Sequence, residues 1–204
     1  ALEKERLIES LIQRDHVLES MSLVYSTLRL PTFDISTILT HAMDMIRTVM
    51  PVEAGYLLLP EGDELVFASA FHLDMQKLKS LRLLKCESIA GHVFEKGEPL
   101  IVHNAQQHPL FSLIVDQEAD FNTRAMLSVP LMAKGQVIGI IEVLNKTEGD
   151  FNETDVKMLQ SIAANVSIAM ENARLYQTGL PKAEKRPLLE MILTDLPQVS
   201  AKAG

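Results

Sequence analysis

The chain has 204 residues, 47% apolar and 23% charged, enough for one ordinary core with some helix left over. Its net charge of -8, from 27 acidic and 19 basic residues, opposes a phosphate backbone, so nucleic acid is not an expected partner. No run of about 18 apolar residues suggests membrane insertion, and no secretory-type leader opens the chain. The single Cys86 excludes an internal disulfide framework and points to a reducing compartment, the cytoplasm.

Residues 1–31 carry a sevenfold repeat. Leu11, Leu18 and Tyr25 form one series, and Leu7, Met21 and Leu28 a second. Lys4 and Arg14 interrupt the seam, and Pro31 ends or bends the helix. Such a helix either lies on its own domain or pairs with a second copy as a parallel coiled coil; the second reading is favoured.

Residues 32–177 read as one folded unit. A helix is predicted over Ile35–Met50, capped by Asp34 or Thr32 and stopped at Pro51. The period then turns extended. Ala54–Leu59 and Glu64–Phe71 are predicted strands joined by the turn Pro60–Asp63. Leu81–Lys85 reads as a short strand, Ser88–Lys96 as a helix with Ser88 as N-cap and Gly97 as stop, and Pro99–Val102 as another strand. Asn104–Asn122 has no clean period beyond a turn or two of helix over Phe111–Glu118; loops this long are often functional.

Arg124–Ala133 and Gln136–Asn145, joined at Lys134-Gly135, form the clearest hairpin in the chain. Gly139 inside the second strand implies a close neighbour. A long helix follows over Glu153–Gln177, with an Asn152 cap and a Phe151/Val156 staple. Val156, Leu159, Ala163, Val166, Met170 and Ala173 form one apolar stripe, while Ile162, Ile168, Ala169, Leu175 and Tyr176 lie off it. Apolar residues on more than one side predict cover on more than one side: the sheet and a partner helix. Val166, Met170 and Ala173 therefore join the candidate dimer interface. Residues 178–204, divided by Pro181, Pro187 and Pro197, read as a linker or docking segment.

Four pieces in this order resemble a GAF domain. They are Ser88–Phe94 with Lys96–Leu100, then Arg124–Leu131, then Gly135–Lys146, and last Phe151 and Asp155 with Ala163-Ala164 and Ile168–Tyr176. The resemblance runs from about Phe33 to Tyr176. It implies an α+β fold: a central antiparallel sheet of about six strands, the N- and C-terminal helices on one face as dimer interface, and short helices and loops closing a small-molecule pocket on the other. Asn145, Lys146, Phe151 and Asp155 also match most of the signature of cyclic-nucleotide-binding members, with Val156 in place of its final Glu. Placed by the family's pattern, Ser88, Ile89, Ala90, Gly91, Phe94, Phe111, Phe121, Arg124 and Ser128 are the candidate pocket residues. The free N–H groups at the start of the Ser88 helix suit a phosphate or carboxylate, and Arg124 suits an anion.

Other chemistries find less support. His72, His92, His103 and His108 lack metal- or haem-ligand spacing. Glu87 follows Cys86 where bilin-binding relatives usually carry His, and one Cys cannot complete the disulfide cycle of the free-methionine-sulfoxide reductases that share the fold. No catalytic motif emerges, so no cofactor is assigned and no activity is expected of the domain itself. The expectation is a dimeric regulatory sensor, of the kind used in bacterial-type signalling, that passes ligand binding to an output domain in the same or a partner chain. A structural dimerisation module without ligand is the alternative.

Overall fold

The structure, a computed structural model, describes residues 34–179. The sevenfold series Leu7, Leu11, Leu18, Met21, Tyr25 and Leu28 and the tail beyond 179 lie outside those residues. Helix α1 (Ile35–Val49) starts at Asp34, whose carboxylate accepts from the Thr37 backbone N–H at 3.1 Å and from the Ser36 and Thr37 hydroxyls. Those donors hold the Asp34 carboxyl at about 2. Pro51 separates the helix from β1 (Val52–Glu61), which turns at Gly62 into β2 (Glu64–Phe71). The strand starts two residues earlier than its apolar run predicts, because Val52 pairs with Lys146.

Four residues of α2 (Met75–Leu78) lead to β3 (Arg82–Leu84), a 3-10 turn (Lys85–Glu87), α3 (Ile89–Lys96) and β4 (Leu100–Val102). A segment that is mostly loop then carries a 3-10 turn (Ala105–Gln107) and α4 (Ile114–Ala119). The hairpin β5 (Met126–Ala133) and β6 (Gln136–Lys146) and the long α5 (Glu153–Gly179) complete the chain.

The six strands form one antiparallel sheet in the order β3-β2-β1-β6-β5-β4. Its central strands are apolar on both sides, so each side needs a cover. Leu57, Leu127, Val129, Ile141 and Val143 face α1 and α5. Leu58, Met126, Ile140 and Leu144, one residue out of phase, face α2, α3, α4 and the loops between them. The α+β architecture inferred from the resemblance is the one observed.

The α5 stripe lies inward. Val166, Met170 and Ala173 are buried within the protomer, in the core shared with α1 and the sheet. Residues expected at an interface with a second copy are thus covered by the chain's own α1, and the outward apolar positions on α5 are Ile168, 61% exposed, and Leu175, 54% exposed. Among the described residues, no helix is long and apolar enough to cross a membrane.

Two glycines mark close approaches. A Cβ on Gly139 would lie 2.9 Å from both the Leu58 carbonyl oxygen and Leu131 Cδ1. A Cβ on Gly91 would lie 2.0 Å from the Lys85 carbonyl oxygen, so α3 seats directly on the backbone of the turn before it. Gly91→Ala is therefore expected to cost about 3 kcal/mol, because backbone has to move. Gly149→Ala, in open space at φ +69, is expected to cost only about 1 kcal/mol of strain. Urea denaturation of both variants checks the difference, and equal costs would contradict it.

Candidate functional site

The loop-covered side of the sheet holds a cavity. Tyr56, Leu83, Met126 and Glu142 form its floor, Ser88, Ile89 and Ala90 one wall, and Leu110, Phe111, Ser112, Val115, Asp116 and Thr123 its roof. The space within it that water can reach is about 20 Å³, room for a single water. The atom-free space, with the open crevice to solvent included, reaches about 330 Å³.

The floor follows from register. Tyr56 on β1, Glu142 on β6 and Ser128 on β5 sit directly opposite one another across the three strands. All three point to the loop-covered side, because Ile140 and Leu144 flank Glu142 at spacing two. A polar row therefore crosses the middle of an apolar surface. Glu142 is 1% exposed and Ser128 fully buried. Burial pushes the Glu142 carboxyl up to about 7, although the facing Tyr56 and Ser128 hydroxyls oppose the rise. Burial, then the charge of Glu142, pushes the Tyr56 hydroxyl well above its usual range. Among the described residues, Glu142 Oε1 and Ser128 Oγ have no hydrogen-bond partner.

The roof is latched. Asp116 on α4 is buried, and its Oδ1 accepts from Thr123 Oγ1 at 2.6 Å. Its Oδ2 accepts from the Thr123 backbone N–H at 2.9 Å and from Gln106 Nε2 at 3.3 Å. Gln106 Nε2 also donates to the Thr123 carbonyl at 3.0 Å. One carboxylate thereby ties both ends of the segment between β4 and β5.

The residues singled out from sequence fall into two groups. Ser88, Ile89, Ala90 and Phe111 line the cavity. The others do not. Gly91 is packed on Lys85, and its N–H is taken by Ser88 Oγ at 3.0 Å. Phe94 lies under the Lys85 ammonium, 4.4 Å from its ring centre. Phe121 packs on the apolar cluster beneath the loops. Arg124 is a half-exposed strand-entry charge whose Nη2 donates to Glu53 Oε1 at 2.6 Å. Ser128 lies under the floor beside Glu142. Sequence reasoning missed Tyr56, Asp116, Thr123 and Glu142. A carboxylate at an inward-facing position of a buried strand was the one available signal.

The cyclic-nucleotide-type motif lies elsewhere. Asn145, at φ +52, accepts on Oδ1 from the Arg124 and Ala125 backbone N–H groups at 2.7 and 3.2 Å. Its Nδ2 donates to the Asn122 carbonyl at 2.8 Å and to Glu53 Oε2 at 2.7 Å. Donation by Arg124 first, then by Asn145, holds the Glu53 carboxyl below its ordinary range. Lys146 Nζ pairs with Asp155 Oδ2 at 2.7 Å, with both side chains nearly buried. The same Asp155 oxygen accepts from the Asn152 N–H at 2.8 Å, while Asn152 Oδ1 accepts from Thr154 and Asp155, a reciprocal cap on α5. Phe151 is buried. None of the four lines the cavity; they join the sheet to α5. Among the described residues, no group of three or more His, Cys, Asp or Glu side chains gathers as metal ligands.

An antiparallel sheet with a helix pair on one side and a loop-covered cavity on the other defines the class of this domain. A family model described as a GAF domain matches residues 33–171. The chain belongs to the GAF domain family. It is 32% identical over 118 residues to the dual 3',5'-cyclic-AMP and -GMP phosphodiesterase 11 of Drosophila melanogaster, a match spanning 57% of this chain and 8% of that protein. It is 32% identical over 98 residues to the probable 3',5'-cyclic phosphodiesterase pde-5 of Caenorhabditis elegans, spanning 48% of this chain and 14% of that one. The GAF domain of a phosphoenolpyruvate-protein phosphotransferase from Coxiella burnetii superposes with a TM-score of 0.71 at 19% identity, over 81% of this chain and 98% of that one. A free methionine-R-sulfoxide reductase from Neisseria meningitidis does so with 0.64 at 19% identity, over 82% and 93%. These structural likenesses show the fold.

Glu142 makes a pH prediction. Its folded value of about 7 lies above its unfolded value near 4.5, so the native state keeps the proton longer. The burial penalty is absent below about pH 4.5, grows as pH rises, and is complete above about 7, at about 3 kcal/mol. Glu142→Gln is expected to match the parent near pH 5 and exceed it in stability at pH 8. Urea midpoints at the two pH values check this, and parallel profiles would contradict it.

Proposed function

We propose that the chain is the sensory part of a signalling protein, in which a small molecule enters the cavity beneath the Asp116-latched roof. The observation that carries this reading is the buried polar floor: Glu142 Oε1 lacks a partner at the edge of a cavity whose roof segment is tied together by Asp116. A buried polar group without a partner costs about 1–3 kcal/mol, which a suitably polar ligand recovers. The cavity as it stands admits one water, so entry of a larger molecule requires the segment between β4 and β5 to lift.

Binding biases the sheet between two arrangements only if the ligand prefers one of them. Strand β5, which pairs with β6 across the floor, carries α5 on its other side, so a shift in the floor has a short path to that helix. Two copies then pair through the terminal helices, the seam of residues 7–28 included, and an output domain reads their arrangement. Cyclic-nucleotide phosphodiesterases among the relatives make such an output domain a phosphodiesterase in some parent proteins. An exposed free thiol at Cys86 fits a cytoplasmic setting.

A cyclic nucleotide is the second ligand reading, favoured by the relatives. The motif that suggested it serves the fold here, so the relatives alone carry that reading.

Two measurements test the proposal. In a thermal-shift screen of cyclic nucleotides, purines, amino acids and organic acids, a ligand at 100 times its Kd stabilises the fold by about 2.7 kcal/mol. No shift with any of them counts against sensing. Light scattering at micromolar concentration is expected to give a dimer that Leu11→Glu with Leu18→Glu weakens by at least tenfold in Kd; a monomeric parent refutes the pairing.

A further inference from the structure

The charge of the cavity is one-sided. Its lining carries two carboxylates, Asp116 and Glu142, and no lysine, arginine or histidine. Asp116 is already engaged by Thr123 and Gln106. Glu142 Oε1 is buried and has no donor among the described residues, although Tyr56 and Ser128 face it from the neighbouring strands. The first turn of α3 brings its positive end to the wall. Its Ser88 side chain, however, already takes the Gly91 N–H, and a helix end carries about half a unit charge against the full charge of an ionised carboxylate.

We propose that this cavity selects ligands presenting an N–H donor group, an amidinium or amine in particular, to Glu142, and discriminates against carboxylates and phosphates. The inference rests on the sensory reading above and names the ligand chemistry of that same cavity. It also reverses the preference for anions that the helix start and Arg124 suggest in the sequence, since Arg124 stands outside the cavity, paired with Glu53. An amidinium matches a carboxylate with two parallel N–H donors, which gives orientation as well as affinity. Binding draws on the ionised form of Glu142. The groups facing that carboxylate are Tyr56 from β1, Ser128 from β5 and Asp116 from α4 across the cavity, and α3 contributes no charged side chain to the lining.

Benzamidinium and benzoate are near-isosteres of opposite charge, with benzamide between them. Titration calorimetry of the full chain against these three, and against inorganic phosphate, tests the inference. Benzamidinium is expected to bind most tightly, with affinity rising at least tenfold from pH 5 to pH 8. Glu142→Gln is expected to lose on the order of 10- to 100-fold and to flatten the pH dependence. Benzoate or phosphate binding as tightly as benzamidinium, or a pH-independent benzamidinium affinity, overturns the donor preference and leaves the sensory reading standing. No binding by any of the four, while the thermal-shift screen also finds nothing, removes both. Should Glu142→Gln fail to fold by circular dichroism, the isostere ranking and pH series on the parent chain decide the matter.

Discussion

A sheet apolar on both sides must be covered twice, and that requirement organises this domain. The central strands β5, β1 and β6 send Leu127, Val129, Ile141 and Val143 one way and Met126, Ile140 and Leu144 the other. One side receives two long helices, whose apolar stripes join it in one continuous cluster. The other receives short helices and loops, which cannot pack as continuously. The cavity arises there, and the sheet places its one deeply buried carboxylate on that side. A charge in such a place costs free energy unless it is neutralised or given donors. The roof is held by a different carboxylate, Asp116, which closes its own hydrogen bonds inside the loop segment. The fold engages both oxygens of Asp116 and leaves one oxygen of Glu142, Oε1, without a partner, and the distinction between them is the basis of the functional reading.

Local patterns carried most of the architecture. Turns and caps read from sequence reappear, among them Asp34 on α1, Ser88 and Gly97 on α3, and the Lys134-Gly135 hairpin. These are short-range features, decided by a few neighbouring residues. Helix α2 was not foreseen, because four residues are too few to display a period. The strand before the hairpin begins at Met126 instead of Arg124, since Asn145 takes the Arg124 and Ala125 amides out of the ladder from 20 residues away.

The candidate site was legible at the start of α3 and at Phe111 in the loop segment. Ser88, Ile89, Ala90 and Phe111 line the cavity, yet its chemistry sits on Glu142, Tyr56 and Asp116. Those three come together through strand register and a loop fold, neither of which a single segment displays. The conspicuous motif residues were conspicuous for another reason. Asn145 and Lys146 hold the sheet's end to the loop before β5 and to the cap of α5, and such joints demand particular side chains as strictly as a ligand does. The apolar surplus on α5 was likewise divided differently from expectation: Val166, Met170 and Ala173 are buried in the core shared with α1 and the sheet, and Ile168 and Leu175 face outward.

The account depends on the roof opening without the domain unfolding. Native-state hydrogen exchange at the Thr123 amide, whose N–H is held by Asp116, reads that opening directly. The account predicts that Thr123 exchanges through a local opening at least 100-fold more populated than the one that releases the β6 amides. Exchange of Thr123 only together with β6, in a single global event, would contradict it.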